Sequence, residues 1–276
     1  MIPAAFAYDR PTTLDEAVRA LASGGDAKVL AGGQSLLPLM KLRLARVGRL
    51  IDIGGVGELR GVRETGDGGF AIGALTTYAE LMASPAADLG VMADVLPTIA
   101  DLQVRNVGTV GGSIAHADPA SDMPAVLLAL DATLVAFGPK GERTIAIADF
   151  FRGPFETALA ADEILTEIRI PPLPAASGSA YASLEQRASG YALVGVAAVT
   201  GRAATRIGIT GVGPVAYRAT AVERAVTSGA SGSEAASHAT DGVEVGSDIH
   251  CDRDYRSAMA RVYVTRALEA AAARAG

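Results

Sequence analysis

The sequence predicts an α+β protein in which a mixed helix and strand part is followed by a second part of sheet and helices. Three observations carry this. Two capping-box signatures, Thr13 with Glu16 and Thr77 with Glu80, each open an apolar run of helical spacing. Short apolar strands alternate with helices near the start of the chain, whereas three strand candidates follow one another without helices after residue 180. Between the two regions, Pro171 and Pro172 and then the run LPAASGSA form a Pro-, Ser- and Gly-rich boundary.

Taken in order, the box at Thr13 opens a helix to about residue 22, with Leu14, Ala17, Val18 and Leu21 on one face and Gly24 and Gly25 ending it. A buried strand over 28–31 leads into Gly32, Gly33, Gln34 and Ser35, and either Gln34 or Ser35 starts the helix LLPLMKLRL, with Pro38 in its first turn. Strand, glycine loop and helix is the arrangement that presents backbone amides to an anion. A strand over 50–53 completes a small βαβαβ-type unit of residues 1–55. Gly55, Gly57 and Gly61 are spaced one residue too long for a dinucleotide fingerprint and predict a turn.

A strand over 70–73 precedes the helix opened by Thr77, which runs to Ser84; a further helix covers 91–102, with Pro97 marking a break or its start. Next comes VRNVGTVGGSIAHADPASDMP, residues 104–124. Its β-branched run is broken by Gly111 and Gly112, a polar loop follows, and Asp122 stands as N-cap of an apolar helix over 123–130. Glycines there let a backbone approach a ligand, and loop amides beside a helix start favour a phosphate; a tight turn between core elements fits the same residues. Strands over 132–136 and 143–147 flank the turn at Gly138 and Gly141, residues 149–154 form a loop, and a strand over 163–170 is stopped by the proline pair. After the boundary come strands over 180–184, 191–199 and 206–212, then helices over 219–226 and 234–239. The last helix, over 252–273, has Tyr255, Met259, Val262, Tyr263 and Arg266 at helical spacing and a solvated Ala- and Arg-rich end.

Composition narrows the function. A net charge of −6 argues against a nucleic-acid surface. The longest apolar runs are too short to span a membrane, and the N-terminus has no basic segment followed by an apolar one; both predict a cytoplasmic protein. The single cysteine, Cys251, permits no internal disulfide, and the histidines His116, His238 and His250 are scattered. Neither an iron–sulfur cluster nor a structural zinc ion, each needing about four ligands, is expected on this chain. Redox chemistry would have to come from an organic cofactor or a partner chain.

The two glycine segments are specific in combination. AGGQSLLPLMKLRL, LIDI, VRNVGTVGGSIAHADPASDMPAV and EILTEIRIP, and more loosely EQRASGYALVGVAA and DYRSAMARVYVTRAL, resemble the FAD-binding medium subunit of molybdenum hydroxylases, the family of aerobic carbon monoxide dehydrogenase and xanthine dehydrogenase. The resemblance covers nearly the whole chain. It implies a two-subdomain PCMH-type FAD-binding fold over residues 1–176, with subdomains of about 1–55 and 56–176, followed by a C-terminal domain over 177–276 of a three-stranded antiparallel sheet with helices. It assigns FAD contacts to Ala31, Gly32, Gly33, Gln34, Ser35 and Leu36, and to Thr109, Gly112 and Ser113, through backbone amides. Asp122 matches a cofactor contact as well as a helix cap, Leu165 a residue near the adenine as well as a core leucine, and Tyr191 a shield of the isoalloxazine ring as well as a sheet tyrosine. Gln186 lies with Tyr191 where the C-terminal domain meets the flavin. Two departures stand out: Gln34 replaces a histidine, and Glu185 stands where a lysine is expected. A carboxylate facing an anionic reduced flavin would be unfavourable. His116 is read as a loop or packing residue, and no general acid or base is expected.

What the resemblance implies about activity is electron transfer. A small partner would supply two [2Fe–2S] clusters and a large partner the molybdenum cofactor, in a dimer of heterotrimers; electrons would pass through FAD to an external acceptor such as a quinone, NAD or oxygen. Two other readings compete: a stand-alone FAD oxidase of the vanillyl-alcohol-oxidase type, and a flavin-free assembly protein on the same scaffold. The substrate of such a complex would be chosen on another chain.

Overall fold

In a computed structural model describing residues 2–275, the chain first builds a parallel sheet of order β1–β3–β2, from β1 (Ala7–Asp9), β2 (Ala27–Leu30) and β3 (Arg49–Asp52). With a helix in each crossover, this is the βαβαβ unit expected over 1–55; its first strand cannot be bounded from sequence because three residues show no periodicity, and pairing with β3 makes it a strand. Between β1 and β2, α1 (Leu14–Ala22) has both halves of its capping box and buries Ala17, Val18 and Leu21. α2 (Leu36–Lys41) is shorter than the apolar run it begins: Leu42 and Leu44 are exposed and Arg43 has a φ of 59°, which ends the helix.

A second, antiparallel sheet follows. Its order is β4–β5–β10–β6–β7, from β4 (Val62–Glu64), β5 (Phe70–Gly73), β6 (Thr133–Gly138), β7 (Gly141–Ala146) and β10 (Ile164–Ile170). Gly138 pairs with Gly141, so the predicted hairpin turn lies at Pro139 and Lys140. Within the loop expected over 149–154, β8 (Phe151–Gly153) forms and pairs with β9 (Glu156–Thr157) in a small hairpin turned by Phe155 at a φ of 59°.

The helices on this sheet depart from the sequence reading in two places. α3 (Tyr78–Met82) starts at its capping box as expected. The helix expected over 91–102 breaks at Pro97, one of the two roles read for that proline: α4 (Gly90–Val95) runs into a 3₁₀ turn at Leu96–Thr98, where Pro97 has no N–H to give, and α5 (Leu102–Arg105) begins afresh on an Asp101 cap. α6 (Val110–His116) occupies the glycine-pair segment that reads as a loop. α7 (Asp122–Ala129) has Ser121 at its N-cap position, without a side-chain cap bond, and Asp122, expected there, is its first helical residue. Residues 123–129 are buried without exception, so α7 is an interior layer with no polar face.

The reason for that burial is the C-terminal sheet, β11 (Ser177–Glu185), β12 (Ala192–Gly201), β13 (Thr205–Thr210) and β14 (Tyr217–Arg218), antiparallel in that order. The short β14 is a fourth strand beyond the three expected. Alternation sends Tyr181, Ala197 and Val199 into the core around α4 and α7, and Ala180, Val194, Val196 and Ala198 into a second core under α8 (Thr220–Thr227), α9 (Gly232–Ala236) and α10 (Arg253–Ala273). A side chain at Gly208 would overlap the Ala125 carbonyl, so α7 lies directly on the sheet.

α10 corrects another expectation. Its buried face is Arg256, Ala260, Val264, Ala267, Leu268 and Ala271, while Tyr255 and Val262 are exposed. Ala267 and Ala271 let the far end of the helix close on β11, and Arg274 beyond it pairs with Asp94 at 2.7 Å, while Ala272, Ala273 and Arg274 are exposed, so this end is packed on one face and solvated on the other. Among the described residues no helix is long and apolar enough to cross a membrane, and no group of three His, Cys, Asp or Glu side chains could hold a metal ion.

Candidate functional site

Residues 31–36 join β2 to α2. Gly33 takes a φ of +70°, which lets the chain turn sharply into the helix. The amides of Gly32, Gly33, Gln34, Ser35 and Leu36 have no acceptor among the described residues. Ser35, the N-cap of α2, makes no side-chain cap bond. A run of unmatched N–H groups at a helix start carries partial positive charge and suits an anion.

The second glycine segment differs. Thr109 caps α6, accepting from Gly112 N at 3.2 Å, and its carbonyl accepts from Ser113 N at 3.1 Å. Val110 N and Gly111 N donate to the carbonyls of Thr76 and Ala74, at 2.9 and 3.0 Å. These amides are therefore already matched inside the protein. What the segment offers a ligand is side chains: the Thr109 hydroxyl and Ser113 Oγ, which lies 3.1 Å from Ser121 Oγ. The glycine pair reads as a loop because each glycine lowers helix propensity by about 1 kcal/mol. Tertiary contact reverses that: a methyl at Gly111 would stand 2.6 Å from Ala74 Cα, so only glycine lets α6 lie against the turn after β5.

The two segments meet. A methyl on Gly32 would overlap Val107 O and come within 2.8 Å of Gly108 Cα; one on Gly112 would sit 3.4 Å from Ala31 Cβ. The first-segment glycine thus accommodates the second segment's approach.

Asp122 lies at one end of this region, in a polar seam against the C-terminal sheet. Tyr181 OH donates to its Oδ1, and Thr210 Oγ1 reaches the carbonyls of Pro119 and Ser121, both at 2.8 Å. Burial pushes the Asp122 carboxyl up to about 6, against the pull of the Tyr181 bond, and Glu185 adds to the rise. Tyr78 and Tyr181 are pushed well above the ordinary tyrosine range, first by burial and then by the nearby Asp122. Tyr191 is raised by burial and by Asp118 and Asp122, yet is 48% exposed. Gln186 shapes the β11–β12 hairpin: its N–H donates to Tyr191 O at 2.9 Å, and its Oε1 accepts from Ala188 N and Ser189 N at 2.6 and 2.8 Å.

Leu165 is a core side chain, 4% exposed, opposite Ala136 on β6. The half-buried His116 packs on Phe155, with ring centroids 5.1 Å apart, and burial lowers its pKa. Sequence reasoning missed Tyr181, Ser121, Thr210 and Tyr78. Strand periodicity says which face Tyr181 takes; only the close layer of α7 puts its hydroxyl against Asp122.

The arrangement fits an extended ligand with an anionic group at the free amides of residues 32–36 and a hydrogen-bonding end near the seam. Residues 4–173 match the family described as FAD binding domain in molybdopterin dehydrogenase. The chain is 42% identical over 286 residues to the carbon monoxide dehydrogenase medium chain of Hydrogenophaga pseudoflava, with 99% of each covered. It is 38% identical over 281 residues to the nicotine 6-hydroxylase medium subunit of Paenarthrobacter nicotinovorans, with 98% of each covered. A solved carbon monoxide dehydrogenase from H. pseudoflava, which lacks the Mo-pyranopterin moiety of its molybdenum cofactor, has a chain of the same fold: TM-score 0.94 at 43% identity, with 100% of both chains covered. This chain thus belongs to the family of FAD-binding domains of molybdopterin dehydrogenases, as an oxidoreductase component whose cofactor is FAD.

Proposed function

We propose that this chain is the FAD-carrying electron-transfer subunit of a molybdenum hydroxylase, taking electrons from [2Fe–2S] clusters on a small partner and passing them to an external acceptor. Its full assembly would be a dimer of heterotrimers, with the molybdenum cofactor and the substrate pocket on a large partner. Bound FAD supplies the chemistry, taking electrons singly and giving them up in pairs. The observation that carries this reading is the run of free amides at residues 32–36, abutting the second glycine segment.

In this reading the amides of Gly32, Gly33, Gln34, Ser35 and Leu36 hold the diphosphate, and Ala31 packs beneath it. Gln34 in place of histidine is tolerated because main chain does the binding. Thr109, Gly112 and Ser113 form the facing wall, with the hydroxyls of Thr109 and Ser113 as its donors. Asp122 and Tyr191 lie toward the isoalloxazine ring, and Gln186 positions Tyr191 through the hairpin. Leu165 backs the adenine end from the core. Glu185, which stands where a lysine is expected, is exposed, and its charge reaches the Asp122 carboxyl. The chain divides into an FAD-binding domain of residues 1–176 and a C-terminal domain of 177–276.

The test is direct. Purified chain mixed with FAD and then desalted retains the visible flavin absorption, and chain purified from its source brings down a cysteine-rich small chain and a large chain. A chain that stays colourless with FAD in excess, or that purifies without partners, overturns the reading.

A further inference from the structure

We propose that Tyr181 is a positioning residue for Asp122: its hydroxyl, reaching from the C-terminal sheet to the first turn of α7, fixes the orientation and charge of the carboxyl that this chain presents beside the flavin. The proposal rests on the reading of Asp122 as a flavin neighbour.

Tyr181 is held at both ends. Its N–H donates to Asp94 Oδ2 at 2.9 Å, and Asp94 is itself paired with Arg274 beyond α10. Its buried ring lies in the core with α7, and its hydroxyl donates to Asp122 Oδ1. Room for that hydroxyl exists because Gly195, on the neighbouring strand β12, has no side chain; a methyl there would overlap the tyrosine oxygen and stand 2.8 Å from Thr210 Cγ2. The same sheet holds the loop before α7, through Thr210 Oγ1 to Pro119 O and Ser121 O and Gly211 N to Pro119 O. Of these sheet-to-loop bonds, the one from Tyr181 ends on a titratable group.

The charged and titratable groups facing Asp122 are Tyr78 from α3, Tyr181 and Glu185 from β11, and Tyr191 just before β12. None is a cation, and no salt bridge reaches Asp122 among the described residues. Burial and Glu185 favour the neutral carboxyl, while the Tyr181 bond favours the carboxylate. Removing the bond must therefore move the titration upward.

The experiment uses the full chain, apo and FAD-loaded, as wild type, Tyr181→Phe, Asp122→Asn and Gly195→Ala. The infrared carboxyl stretch is followed against pH in the apo chain, and the flavin midpoint potential against pH in the loaded chain. A wild-type carboxyl titration in the weakly acidic range is expected, absent in Asp122→Asn. It moves up by about one pH unit in Tyr181→Phe, a tenfold change in the protonated-to-ionised ratio at fixed pH. The potential–pH curve bends at the same points. Gly195→Ala, which keeps the ring but displaces the hydroxyl, gives the same upward shift and serves where Tyr181→Phe fails to fold. Coincident titrations in wild type and both Tyr181 and Gly195 variants, or a potential–pH curve unchanged in Asp122→Asn, overturn the proposal. A wild-type chain that does not retain FAD overturns the functional reading instead, and the apo infrared titration still decides whether Tyr181 governs Asp122.

Discussion

Residues 31–36 and 109–113 each carry two adjacent glycines near the start of a helix, yet they are built differently. The first leaves consecutive amides without an acceptor among the described residues, whereas the second commits its amides to Thr76, Ala74 and Thr109. The glycines themselves also differ in purpose. Gly32 makes room for Val107 and Gly108, which brings the segments together; Gly111 makes room for Ala74, which seats α6 on the second sheet. The difference teaches that a glycine pair records a close approach without saying what approaches. Here protein fills both spaces, and in the proposed reading FAD is left the unmatched N–H groups.

The largest effect should follow from Gly32→Ala. The added methyl meets main chain that cannot rotate away, so the two segments are forced apart. Overpacking of this kind costs about 1–3 kcal/mol of stability. Displacing amides that donate to a charged group costs about 2.7 kcal/mol of binding, or about 100-fold in the Kd for FAD. Calorimetric Tm and FAD titration together measure both; an unchanged Kd would break the comparison at its centre. Gly111→Ala sharpens it. The same methyl there collides with Ala74 and should lower stability by about 1–3 kcal/mol. Folded protein at low temperature should nevertheless bind FAD within about threefold of wild type. A loss as large as that of Gly32→Ala would mean that α6 contributes its main chain to the ligand after all.

How far the sequence could be read follows the same division. Signals local in the chain were legible: the boxes at Thr13 and Thr77, the turn between Gly138 and Gly141, and the start of α2 all lie where side-chain capping and glycine geometry put them. Features decided by distant packing were not. α6 forms despite its glycines because Ala74 and Thr76 receive it. α10 buries Ala260, Ala267 and Ala271 and leaves Tyr255 and Val262 exposed, because closeness to β11 outweighs the area of a large side chain. The motif located the candidate site through the glycine segments and Asp122, but Tyr181 and Thr210 come from strands far along the chain. Tyr181 meets Asp122, and Thr210 the loop before it, only when the C-terminal sheet closes on α7.

Two smaller effects separate side chain from main chain. Thr109→Val keeps the shape of the cap but removes the acceptor of Gly112 N, and should cost about 1 kcal/mol of stability by thermal or denaturant unfolding. It should also weaken FAD binding modestly, since it removes a hydroxyl donor of the facing wall and the freed amide cannot turn outward to replace it while Val110 and Gly111 stay bonded to Thr76 and Ala74. Ser35→Ala should do least. Ser35 makes no cap bond for α2, so its hydroxyl contributes less than about 0.5 kcal/mol to the fold. If main-chain amides bind the diphosphate, the Kd for FAD changes by less than about threefold. A tenfold loss with an unchanged Tm would identify the Ser35 hydroxyl as a ligand in its own right. The first segment would then resemble the second in using side chains, and the contrast between the two would narrow to which amides remain unmatched.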